Sequence, residues 1–274
     1  MTSSVKRSKT GDLPAGISVH VGAVDTLLSW ADCVSSPTEL VIAPVELHRR
    51  NLKLRLTDAD RPLDAFEFTG PASVASRLLE TSGRSANSLD RVDRLALLGD
   101  ILASDHEARD RFRMVLGGDP ADNGKAVEQA RTELEATTNY HPGRVDAFRQ
   151  TVETVPSPVD DDAGDVLAGT LAVERALRRQ SSKATSDRAV IRRATRVLTE
   201  IDGTVWSDAF PNVERVSVVG LSNVPAPLVD LVNAITATCD VEVHWFLRRG
   251  TGSFLKPRLA ELLSIPDPGQ VVVT

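Results

Sequence analysis

The stretch ISVHVGAVDTLLSWADCV, Ile17 to Val34, passes from an apolar strand pattern through one glycine into an amphipathic helix, as a nucleotide-binding α/β domain commonly opens. Gly22 suits the turn from strand to helix. Two basic patterns point to electrostatic chemistry instead. Arg188, Arg192 and Arg196 recur at intervals of four and form one helical stripe with Arg193 beside it, while Val190, Ala194, Val197, Leu198 and Ile201 supply an apolar side. Like charges at that spacing repel by a few tenths of a kcal/mol per pair, so an anionic neighbour is favourable. DNA phosphate would serve, and so would Glu174 or the Asp160, Asp161, Asp162 triplet of the same chain. Arg49, Arg50, Lys53 and Arg55 form the second cluster, in LHRRNLKLRL.

Covalent and metal chemistry find less support. His20, His48, His106, His141 and His244 stand outside any catalytic motif. His20 and His244 lie in apolar strands and read as core or sheet-face residues, and His141 precedes a proline in the turn NYHPG. The aspartate triplet lacks further ligands and reads as capping and solvation before a helix, so no metal site is expected. Cys33 and Cys239 have no ligand-type partner nearby and read as free thiols.

The chain has 274 residues, of which 41% are hydrophobic and 26% charged, enough for a sizeable core. Its net charge of −6 excludes a protein coated with basic residues, though not a local basic patch. Six of 32 basic residues are lysine, a bias that resembles proteins of salt-adapted or high-GC microbes. No apolar run is long enough to span a membrane, and MTSSVKRSKTGDLPAG has no apolar centre for a secretory signal, so a cytoplasmic location is expected.

Strand and helix patterns alternate at first: Ile17 to Val21, then Val24 to Cys33, TELVIAP, VELHRRNLKLRL, DAFEFTG, and PASVASRLLE with Pro71 at its first turn. From about Ser82 to Thr199 apolar residues recur at three and four, which predicts a helical insertion with joints at GGDPADNG, NYHPG and PSPVDDDAG. The α/β alternation resumes with VERVSVVG, PAPLVDLVNAITATC, VEVHWFL and FLKPRLAELLSI. The chain ends on GQVVVT, an apparent strand, and more chain is expected beyond it. The expected organisation is a disordered tail at 1–15, an α/β domain from 16–81 and 200–274, and the helical insertion at 82–199.

This order, with LVIAP before a basic helix, FEFTGPASVASRLLE, a helical block and VSVVGLSNVPAPLVDLVNAITATCDVEVHWFL, resembles the N-terminal helicase-like half of AddB-type helicase-nuclease subunits. The resemblance implies a P-loop NTPase-like, mostly parallel sheet with a large α-helical insertion. Family members that bind ATP carry the loop G-x-x-x-x-G-K-[ST], whose backbone N–H groups and lysine hold phosphates. Laid from Gly22, this chain has Leu27 and Leu28 at the second glycine and lysine positions, followed by Ser29. Val219 stands where the family has a metal-holding aspartate, with Gly220 retained. The resemblance also places the Arg49 to Arg55 region near single-stranded DNA. The nuclease motif and its cysteine set belong to a part this chain does not reach.

The expectation is therefore a non-catalytic DNA-binding or scaffolding part of a helicase-nuclease-like repair complex, with no cofactor of its own. Its expected partners are single-stranded or unwinding DNA and an ATP-dependent helicase subunit, without a membrane. Two rivals stand beside it: a divergent ATPase, and a protein-interaction module that never touches nucleic acid. Aromatic residues for base stacking are few; Trp30 and Trp245 sit in core patterns, and Trp206 is the loop-like candidate.

Overall fold

The computed structural model describes residues 13–31, 37–104, 106–116, 118–154 and 159–273, and the side chains among these except those of residues 106 and 159–162. Cys33, most of the expected N-terminal tail and the carboxylates of the aspartate triplet lie outside the described residues. Five strands, β1 (Ile17–Val21), β2 (Glu39–Ile42), β3 (Phe66–Thr69), β4 (Arg215–Leu221) and β5 (Glu242–Leu247), form one sheet in the order β1-β5-β4-β2-β3. Every pairing among them is parallel. Parallel strands need crossovers, and the alternation of strand and helix patterns in the sequence provides them.

Helices cover both faces. On one face lie α1 (Val24–Ser29) and α2 (Glu46–Asp58), whose Leu27, Leu28, Leu52 and Leu56 pack on Val41, Val219 and Phe246. The other face carries α3 (Pro71–Thr81), α9 (Asp187–Glu200), α10 (Thr204–Ala209), α11 (Ala226–Thr238) and α12 (Arg249–Leu263) over Leu40, Ile42, Val216, Val218, Val243 and Trp245. Strand side chains alternate between these two cores because successive residues point to opposite faces. The burial of both faces explains why β2 reads as an unbroken apolar run after Glu39.

A helical layer packs on the sheet layer at α11 and is tied to α9 by ion pairs and hydrogen bonds. It comprises α4 (Arg91–Ser104), α5 (His106–Leu116), α6 (Gly124–Thr138), α7 (Pro142–Val152) and α8 (Val159–Gln180). Leu98, Ile101, Leu102, Phe112, Val127, Val173 and Leu177 form its own core. Two local expectations are corrected, and α5 fills a stretch before GGDPADNG to which the sequence reading assigned no element. The region around Trp206 is the short helix α10, with Trp206 buried against Phe210 at a ring distance of 4.6 Å. GQVVVT is no strand within the described residues: Val271 and Val273 pack with Leu134, Tyr140, Val145 and Leu167, so hydrophobicity alone had suggested a sheet. No helix among the described residues is long and apolar enough to cross a membrane.

Between the two layers lies a buried ion network. Glu174 accepts from Arg131 Nη1 at 3.0 Å, Arg178 Nε at 2.9 Å and Thr185 Oγ1 at 3.0 Å, and Arg192 Nη2 stands 3.7 Å away. Arg131 also reaches Glu128 at 2.8 Å, and Arg192 reaches Glu135 at 3.1 Å and Asn139 at 2.8 Å. Asn139 passes the link to Asp230 on α11, which Arg144 grips with both terminal nitrogens at 2.6 and 3.0 Å. Burial alone would raise the pKa of Glu174, but Arg131, Arg178 and Arg192 hold it below the ordinary carboxylate value. Glu128 is lowered in the same way, against its burial, by Arg131 and Arg94.

Breaking such a network leaves an uncompensated buried charge, which costs about 3–5 kcal/mol. Arg131→Met should therefore lower the urea midpoint strongly, whereas Arg149→Met, which removes an exposed pair with Asp146, should cost under about 1 kcal/mol. Because the folded pKa values of Glu174 and Glu128 are depressed, their contribution is complete above the unfolded value near 4.5 and disappears as pH falls through the folded values. A urea midpoint for the native protein that holds constant on acidification through this range would contradict that assignment.

Candidate nucleic-acid interface

In open parallel sheets ligands collect beyond the carboxyl ends of the strands, where neighbouring connections leave in opposite directions. Here β2 and β4 are neighbours, and their outgoing helices α2 and α11 cover opposite faces. A crevice of about 350 Å³ opens at this end, lined by Gly22 from the end of β1, Val219 and Gly220 from β4, Phe246 and Leu247 from β5, and His48, Asn51 and Arg55 from α2. Arg248 and Arg249 complete its wall at the start of α12.

The structure brings Gly22, Val219 and Gly220 together, but it leaves no phosphate loop between them. Only Gly22 and Ala23 separate β1 from α1, so the positions that a wrapping loop would need are already helical. Leu27 is fully buried and Leu28 nearly so, in the core beneath the crevice. Ser29 spends its hydroxyl on the Thr26 carbonyl at 2.7 Å. With six residues, α1 is also too short to focus a helix dipole on an anion.

The crevice is basic instead. Arg55 pairs with Asp25 at 2.5 Å, whereas Arg248 donates to His48 Nε2 and Arg249 lies against Gly22. Neither Arg248 nor Arg249 is paired with a carboxylate among the described residues. Burial, then the Arg248 guanidinium, lowers the His48 pKa, and its Nδ1 is buried without a hydrogen-bond partner. Further along α2, Arg49 and Arg50 share Glu46, and Lys53 stands 5.4 Å over the Phe68 ring. Arg50 is open, at 74% side-chain exposure, against 25% for Arg49.

The second basic cluster has a different setting. Arg192 is only 5% exposed, so it is corrected from a DNA-binding candidate to a buried ion-pair residue, whose anions are Glu174, one of the acidic neighbours expected, and Glu135. Arg188 donates to the Thr132 carbonyl at 2.6 Å, Arg193 to Ser182 at 3.1 Å and Arg196 to Gly269 at 3.3 Å. His20 and His244 face each other on the sheet at 3.1 Å, with His20 stacked on Phe246 at 4.5 Å, and burial lowers both pKa values. Burial pushes the Cys239 thiol up to about 11, so it is protonated and unreactive at neutral pH.

Arg248 and Arg249 were missed by sequence reasoning. Their signal was available: a basic pair directly after the strand VEVHWFL falls at the carboxyl end of a parallel sheet. Gly220 has a second role. Its φ of +74° lies in the left-handed region, and a side-chain carbon there would collide with the His48 ring. Gly220→Ala should combine backbone strain with overpacking, at about 2–4 kcal/mol. The expected result is a clearly lowered Tm; an unchanged Tm would mean that the His48 contact does not hold the crevice.

Comparison with known proteins gives one assignment. No curated protein matches the sequence. A family model described as "Halobacterial UvrD-like protein" matches residues 3–274, nearly the whole chain. The chain belongs to the halobacterial UvrD-like protein family, a helicase-related group.

Proposed function

We propose that this helicase-related protein is a non-catalytic DNA-binding part of a helicase-nuclease-like repair system, of the AddB type that the order of its elements resembles. The observation that carries the reading is the strand-end crevice, where Arg55, Arg248 and Arg249 occupy the place at which related architectures hold a nucleotide. Arginine forks suit phosphodiester oxygens, and the lack of a lysine-bearing loop speaks for backbone contact over ATP chemistry. Arg49, Arg50 and Lys53 extend the same basic character along α2. A strand bound here is guided electrostatically, while a separate ATP-dependent helicase subunit supplies movement.

A second reading, attachment to a protein partner, is favoured by one observation. Leu47 and Leu54, seven residues apart on α2, are each 61% exposed, with Arg50 between them on the same side. In the scaffold reading this apolar and basic strip meets the helicase subunit.

The deciding measurement is fluorescence anisotropy with a labelled single strand across a KCl series over which circular dichroism reports the native fold. Three arginine–phosphate contacts predict a slope of log K against log salt of roughly −2. Replacing Arg248 and Arg249 by glutamate should weaken binding at least about tenfold and flatten the slope. Absent binding at the lowest salt, or binding indifferent to the double reversal, would contradict the proposal.

A further inference from the structure

On the opposite face of the sheet, outside α3 and α9, a cavity of about 350 Å³ is lined by five arginines: Arg84, Arg178, Arg192, Arg193 and Arg196. Ser85, Ser181 and Thr185 add hydroxyls, and among the described residues no carboxylate or aromatic residue is part of the lining. Three of these guanidiniums have acidic partners, since Arg84 pairs with Glu200, Arg178 with Glu174, and Arg192 with Glu135 and Glu174. Among the described residues, Arg193 and Arg196 bond to the carbonyls of Ser182 and Gly269 and to no carboxylate. Positive charge is therefore in surplus at one concave site.

Two features separate this cavity from an ordinary solvated basic surface. Arg192 is almost completely buried and is fixed by Glu135 and Asn139, so one wall of the cavity is set before any ligand arrives. Arg178 is held by Glu174 and the Val273 carbonyl, while its Nη2 is buried without a hydrogen-bond partner. A buried donor left unpaired is a standing cost in the ligand-free protein. Burial, and then the nearby Arg192, also make the charged forms of Arg178 and Arg193 harder to hold.

We propose that this cavity binds a phosphomonoester dianion. Several guanidiniums around one small space match the multiple oxygens and double charge of a terminal phosphoryl group better than the single charge of a phosphodiester. The absence of aromatic walls means that the phosphoryl group is recognised, and no base is stacked. The same chemistry is offered by free phosphate compounds and by the phosphorylated end of a DNA strand. The cavity shares no residue with the strand-end crevice, so this site stands or falls independently of the crevice.

The test uses the full chain and a variant with Arg193→Gln and Arg196→Gln, positions whose only described bonds go to main-chain carbonyls and whose replacement should preserve the fold by circular dichroism. Calorimetric titration with inorganic phosphate at fixed ionic strength should give saturable binding that weakens at least about tenfold in the variant. A matched pair of oligonucleotides with a 5′-phosphate or a 5′-hydroxyl forms the second arm, read by competition. Preference for the phosphorylated end, lost in the variant, supports the proposal with a DNA end as the source. Saturable binding of phosphate alone supports it with a free compound as the source. If neither binds above a chloride control, or the variant binds both as the native protein does, the proposal is overturned. The Arg248→Glu and Arg249→Glu variant should bind phosphate like the native protein.

Discussion

Glu174 is fully buried, and the arrangement of the helical layer on the sheet layer depends on it. Its two oxygens collect arginines from α6, α8 and α9. A buried carboxylate surrounded this closely tolerates few alternative helix registers, because any slip leaves a charge without its partner. Apolar packing would provide comparable stability with less discrimination between registers. The network also works where surface pairs do not. At molar salt the screening length shrinks to about 3 Å, which weakens exposed contacts such as Arg55 with Asp25 far more than pairs removed from solvent.

The same constraint divides the arginines into groups with different chemistry. Of those that meet Glu135 or Glu174, Arg178 and Arg192 also line the arginine-rich cavity, whereas Arg131 is confined to the core. Those at the carboxyl ends of the strands, Arg248 and Arg249, stand outside the network and face the crevice. An overall charge of −6 thus coexists with two concave basic surfaces, because the carboxylates are concentrated elsewhere or consumed in the core. Where salt shortens the range of attraction, concave sites with several donors retain contact energy that a flat basic patch loses.

Much of the fold was legible because the hydrophobic period reports burial directly. The two-sided burial of β2 and β4 made LVI and VSVV readable as central strands, and Pro71 marked the start of α3. The short helix α10 was not legible, and GQVVVT misled, because a short run of β-branched residues packs as well against helices as in a sheet. The candidate site was partly legible. Gly22, Val219 and Gly220 were singled out by a motif comparison and do meet at one crevice, whereas the helical state of Asp25 to Leu28 depends on core packing that no motif records. Arg192 was read as one of an arginine stripe whose anion could be DNA phosphate or an acidic group of the chain, and Glu174, one of those acidic candidates, does stand beside it. Its burial comes from Glu135 and Glu174, on helices distant in sequence, and periodicity within one helix carries no information about a neighbour's charges.

The central claim is that the strand-end crevice of this helicase-related fold takes the backbone of a nucleic-acid strand in place of ATP. Photo-crosslinking of a single strand, with adducts mapped by mass spectrometry in the presence and absence of ATP and magnesium, tests it most directly. The account predicts adducts on α2 and on the segment that begins at Arg248, unchanged by the nucleotide. Adducts confined to other surfaces, or adducts at the crevice that disappear when ATP and magnesium are added, would contradict it.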